Sequence, residues 1–160
     1  MRCSLKLKLK RSKYDILLEI VCLILLIGVL IYLFLNWNSI PEKIPGHYNA
    51  MGEIDRMGSK KELLVLPIIS WLMYLGMTVL ERFPQIWNTG VTVTEENKGR
   101  VYRVLKNMLS TMKLIVVAVF VYLTINSSRA ISLSVWFLPV FITLMFGSII
   151  FFSMKLVRVK

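Results

Sequence analysis

Side chains able to do chemistry are sparse in this chain, and they gather in two places. The first is the stretch from Pro41 to Lys60, which holds the single histidine, His47, followed by Asn49 and Asp55. A neutral imidazole and a carboxylate can ligate a divalent metal. But an amide as third donor and no second His or Cys cluster make a poor zinc site, so no metal is assigned. The same pair could form a hydrogen-bond hub that responds to pH, because imidazoles change charge in the physiological range. It could also border a docking place for a peptide or a lipid headgroup. The competing structural account makes His47, Asn49 and Asp55 parts of a turn-rich cap. In that account Asn49 and Asp55 bond nearby amides in Asx-turns, Gly52 and Gly58 supply positive φ, and Pro41 and Pro45 stiffen the entrance. The second place is a pair of charges inside apolar sequence, Glu19 and Lys113. Intramembrane charges pair, face a bundle interior or snorkel, and they can also serve a relay or gate.

What positions these residues is a set of apolar runs. Of 160 residues 56% are hydrophobic and 18% are charged, against about 25% charged in an ordinary soluble domain. Ile20–Pro41, Leu63–Leu80 and Ala130–Met154 carry no charged residue at all. Runs of that length read as membrane spans. The first span is placed at 15–36, with Trp37 as an interfacial anchor. Its basic start resembles a signal peptide, but the apolar run is too long and ends without a small-residue cleavage site, so an uncleaved span is expected. The polar segment 38–61 follows. Ser59-x-x-Glu62 is a capping-box pattern that starts the second span, 61–82, with Pro67 near its beginning. A connection at 83–102 contains Thr94, a candidate cap for a helix from Glu95.

The third span, 106–126, has an apolar core of only Leu114–Ile125. Its N-terminal extension carries Arg103, Lys106, Asn107, Ser110 and Lys113 at three- and four-residue steps, one polar stripe on a helix. A short turn at 126–130 leads to the fourth span, 131–153, in which Pro139 is expected to introduce a kink. The fold class is therefore an all-α integral membrane protein. It is a single membrane domain over 1–160, a four-helix transmembrane bundle with a structured loop between the first two helices.

The net charge is +11, with 20 Lys and Arg. Four spans place fifteen of these bases on the side of the termini and five on the other. The positive-inside rule then puts both termini in the cytoplasm and the 38–61 loop outside. Charge collected at span ends suits anionic lipid headgroups, so the bilayer is the expected partner and nucleic acid is not. Cys3 and Cys22 build no disulfide framework. Gly28, Gly76 and Gly147 lie in spans without a G-x-x-x-G, which leaves oligomeric state open.

The string Ile44-Pro45-x-His47-Tyr48-Asn49-x-x-Gly52-x-x-Asp55-x-x-Gly58-Ser59-Lys60, between a first and a second membrane helix, resembles the signature of the bacterial membrane family named domain of unknown function 1648. The signature proper covers 41–60. The same domain forms the N-terminal part of SdpI-type immunity proteins. These are integral membrane proteins that protect a producer from its own secreted toxin and relay toxin binding to a repressor. Full SdpI-type proteins have a further C-terminal region that is not found here after the fourth span. The resemblance implies a bacterial inner-membrane protein with an immunity or sensor role, binding a secreted peptide or other ligand at its outward loop. It transfers no catalytic residue and no cofactor. A small transporter or transporter subunit is the alternative. Its spans would supply few polar groups: Ser70, Thr78, Ser110, Thr111, Ser134 and Thr143. A membrane enzyme is not expected, since no paired carboxylates, nucleophile–base set or phosphate-cradling glycine loop exists.

Overall fold

The computed structural model describes residues 9–160. Arg2, Cys3, Lys6 and Lys8 therefore lie outside the described residues. The elements run α1 (Lys13–Asn36), β1 (Lys43–Tyr48), β2 (Ile54–Ser59), α2 (Val65–Leu80), α3 (Lys98–Ser128) and α4 (Phe137–Arg158). Short 3-10 turns occupy Trp37–Ser39, Lys60–Leu64 and Pro84–Ile86. All four helices, with the adjoining turns for the first two, are long and apolar enough to cross a membrane. Their outward faces are apolar: Ile24, Phe34, Leu72, Phe146 and Ile150 all point away from the bundle. A surface of this kind is stable against lipid and not against water.

α3 is the central helix and packs against each of the other three. On α1 the buried positions are Leu18, Cys22, Leu26, Val29 and Leu33, a stripe at three- and four-residue steps. The middle layer joins Cys22, Leu26 and Val29 to Tyr74 of α2 and to Val117 and Val121 of α3. The first turns of α3 belong to a second cluster, in which Val101, Val104 and Leu105 meet Phe152 and Leu156 of α4, flanked by Trp87, Val91 and Val93. The start of α1 and the end of α4 thus lie at one end of the bundle. The hairpin β1–β2 covers the other end, over a third cluster of Leu33, Ile40, Ile44 and Leu63.

Three boundaries differ from the sequence expectation, each for a local reason. α1 starts at Lys13 because Ser12 and Asp15 form a capping box, the Ser12 amide donating to Asp15 Oδ2 at 2.9 Å and the Asp15 amide to Ser12 Oγ at 3.1 Å. α3 is one continuous helix of 31 residues, about 46 Å at 1.5 Å per residue, so its polar start extends beyond a hydrocarbon core of about 30 Å. It also absorbs Asn126, Ser127 and Ser128, which looked like a turn, and ends on Ala130 in the left-handed region at φ +54°. α4 begins at Phe137 and not at 131. The Leu133 amide is held by the hairpin, donating to the Gly52 carbonyl at 2.8 Å, and this keeps the connection out of the helix. Pro139 consequently falls in the first turn, where the missing N–H had no intrahelical partner to lose, and the expected kink has no cause.

Candidate functional site

The stretch that reads as a turn-rich loop forms an antiparallel hairpin, with Lys43 opposite Ser59 and Tyr48 opposite Ile54, and irregular register around His47. Asn49 builds its turn. Asn49 Oδ1 accepts from the amides of Met51 and Glu53 at 2.9 and 3.0 Å, and Nδ2 donates to Glu53 Oε2 at 2.8 Å. Every hydrogen-bonding atom of its side chain is engaged there, so Asn49 is not brought together with His47 and Asp55. Those two do meet: His47 Nδ1 lies 2.7 Å and 2.9 Å from the two Asp55 carboxylate oxygens. Asp55 spends its oxygens on His47 and not on the Asx-turn expected of it. Among the described residues no three His, Cys, Asp or Glu side chains converge to hold a metal.

The two motif glycines act differently. Gly52 has φ +83°, and a Cβ there would lie 2.7 Å from the Leu133 carbonyl oxygen. Gly58 does not adopt positive φ. It sits in β2, where a Cβ would come within 2.5 Å of the Glu62 carboxylate. That carboxylate is fixed: Oε1 accepts the Ser59 amide at 3.0 Å in the capping box, and Oε2 accepts Arg56 Nη1 at 3.0 Å. Arg56 Nη2 donates in turn to the Gly46 carbonyl at 2.8 Å. Lys60 is buried beside Trp37, its ammonium 5.1 Å from the ring centroid, and reaches Glu42 at 3.7 Å. A cation over an aromatic face is attracted by the ring quadrupole.

The hairpin is anchored to α3 and to the connection that follows it. Buried Ser127 donates its hydroxyl to the Pro45 carbonyl at 2.7 Å, and the Tyr48 hydroxyl donates to the Ile131 carbonyl at 3.2 Å. Burial pushes the Tyr48 phenol up from its ordinary pKa. Beneath the hairpin is a cavity of about 460 Å³, within the range of small-ligand pockets. Its walls are largely apolar, with Ile44, Leu63, Leu66, Leu123 and Phe137, while His47, Arg56 and Glu62 line its polar part. No sequence signal pointed to Ser127 or Leu133, because serine in a short polar run reads as a turn and leucine as span.

The second chemical cluster lies at the opposite end. Lys113, with a side chain 1% exposed, donates to Glu19 Oε2 at 2.7 Å and to Thr78 Oγ1 at 3.2 Å, and pairs with Glu81 Oε1 at 3.0 Å. Three acceptors satisfy the three protons of an ammonium. Tyr74 donates to the other Glu19 oxygen at 2.5 Å, and Ser110 donates to Glu81 at 3.1 Å. One turn before Glu19, Asp15 Oδ2 pairs with Arg103 at 2.9 Å and with Lys106 at 3.0 Å. The α3 stripe is thus the basic side of an ion-pair ladder, and Asp15, Glu19 and Glu81 are its acidic side. The sequence singled out Glu19 and Lys113 as charges inside spans, and the structure brings the two together. The sequence was silent on Glu81, which directly follows the charge-free run Leu63–Leu80. The Ser12–Asp15 box has the spacing of a capping box, with an aspartate in the acidic position.

Together the four spanning helices and the lipid-compatible surface define a multi-pass membrane protein. Residues 24–70, from the middle of α1 through the hairpin into α2, match the model of the family described as domain of unknown function (DUF1648). An uncharacterised protein of Archaeoglobus fulgidus is 39% identical over 66 residues. That match spans 36% of this chain and 36% of the archaeal protein's own length. No solved structure matches the chain.

Proposed function

We propose that this is a receptor-like protein of the bacterial inner membrane, with both termini cytoplasmic and the hairpin outside. In this reading it takes an apolar segment of a secreted peptide into the cavity beneath the hairpin, in the manner of SdpI-type immunity or sensor proteins. The observation that carries this is the apolar cavity of about 460 Å³ roofed by the family's own motif. An apolar side chain entering it would leave water, at roughly 25 cal/mol per Å² of apolar surface buried. His47, Arg56 and Glu62 would orient the polar backbone that follows. Bases concentrated at the ends of the spans beside the termini support the orientation.

The test is protection of cells against a secreted membrane-active peptide. Leu66→Trp fills the cavity from α2 and should abolish protection at an unchanged protein level. Sensitivity that is the same with and without the protein would refute the receptor reading. A second reading, a small transporter, is favoured by one observation. Cavities open at both ends of the bundle, separated by the Cys22, Leu26, Val117 and Val121 layer. Solute flux into proteoliposomes would support it, and a silent flux assay would remove it.

A further inference from the structure

We propose that the cavity at the termini end is a binding site for the phosphate of an anionic phospholipid. The cavity, about 430 Å³, lies between the start of α1, the end of α2 and α3. Three acids line it, Asp15, Glu19 and Glu81, and each is held by an internal cation: Arg103 and Lys106 for Asp15, Lys113 for the other two. Three negative charges therefore face three positive ones, and the floor is neutral. The mouth is not. Lys10, Arg11 and Arg82 also line the cavity, all three are exposed, and among the described residues none pairs with a carboxylate. The Lys10 carbonyl accepts from Arg103 Nη2 at 2.5 Å, which fixes this N-terminal arm against α3.

Two bases come from just before α1 and one from just after α2, so the site sits at the level where apolar spans end and headgroups begin. Basic pockets between helices at that level suit phospholipid phosphates. Inorganic phosphate shares the same chemistry. Exposed Phe83 and Ile86 beside Arg82 favour the lipid, because they offer apolar surface to its acyl chains.

The experiment uses the purified full chain in detergent, with retained lipid read by native mass spectrometry. The probes are phosphatidylglycerol, phosphatidylcholine and inorganic phosphate. Phosphatidylglycerol should be retained in preference to phosphatidylcholine. Arg11→Gln and Arg82→Gln should each weaken retention about fivefold, the effect of roughly one interfacial base. The pair Lys155→Gln/Arg158→Gln, at the end of α4 outside the cavity, should leave retention unchanged. Lys10→Gln provides a third rim variant should either arginine variant fail to elute as folded protein. An equal loss with the α4 pair overturns the site in favour of diffuse attraction. Equal retention of phosphatidylcholine overturns it as well. Displacement by inorganic phosphate at matching concentration overturns the lipid as its ligand.

Discussion

The two ends of the bundle solve opposite problems. At the termini end, charge is buried and must be neutralised, so Asp15, Glu19 and Glu81 on α1 and α2 meet Arg103, Lys106 and Lys113 on α3. At the hairpin end, backbone is placed over an apolar surface and must be satisfied. There, glycine, serine and asparagine bond to main chain, and the one His–Asp pair stays at the surface. At the first end the loss of a shared cation is the costly change, because an uncompensated buried charge costs far more than the pair contributes. The second depends on close approach, and a single added methyl group can break it.

The largest effect should come from Lys113, the cation that Glu19 and Glu81 share. Lys113→Met leaves both acids unpaired and should cost about 3–5 kcal/mol, read as a fall in the thermal unfolding midpoint of the purified protein. Glu19→Gln alone leaves Lys113 with Glu81 and should cost only about 1 kcal/mol. A simple pair would be rescued by the double variant Glu19→Gln/Lys113→Gln. Here the double still strands Glu81, and stability should return only when Glu81→Gln is added. Full rescue by the double would show that Glu81 is no partner and that the end is a two-residue contact.

Gly52→Ala tests the other end at its tightest point. The residue must hold φ +83° and would place Cβ 2.7 Å from the Leu133 carbonyl oxygen. Left-handed backbone for a residue with a Cβ costs about 1–2 kcal/mol, and the clash with fixed main chain adds to it. The expected outcome is a loss of about 2 kcal/mol or more, together with release of the hairpin, seen as faster amide exchange at Leu133. An unchanged exchange rate there would show that the hairpin is not held by the α3–α4 connection.

Legibility in the sequence follows the same division. Helices driven by apolar length were readable, because three charge-free runs need no tertiary information. Glu19 and Lys113 could be singled out because each charge falls inside a span as placed from the sequence. Glu81 was hidden by its position at a span boundary, where charge is ordinary. The hairpin was hidden because Pro41, Pro45, Gly52 and Gly58 all read as breakers, and strand pairing across a bulge leaves little alternation to detect. The start of α4 was hidden for a reason outside its own sequence, the grip of the Gly52 carbonyl on Leu133.

Ser127→Ala should be milder than either change above. It removes a buried hydroxyl that donates to the Pro45 carbonyl at 2.7 Å and strands that acceptor, a loss of about 1–2 kcal/mol. Because the bond joins α3 to β1, chemical denaturation should show the loss in the midpoint with an unchanged slope. A changed slope would mean that the hairpin detaches before the bundle unfolds, and that the two ends are separate folding units.

The smallest structural effect belongs to the residues that first suggested chemistry. His47 and Asp55 form a short contact, yet their side chains are 64% and 43% exposed. Exposed pairs contribute about 0–1 kcal/mol, so His47→Ala and Asp55→Ala should leave the protein folded and at normal abundance in the membrane. This separates a residue kept for the fold from one kept for a partner. Gly52 and Ser127 are explained by contacts within the chain, whereas among the described residues the His47 side chain bonds only to the exposed Asp55. If protection against a secreted peptide falls in the His47 and Asp55 variants at constant protein level, the hairpin end is a recognition surface. If protein level falls with protection by the same factor, the pair is one more clasp, and recognition rests on the cavity beneath it.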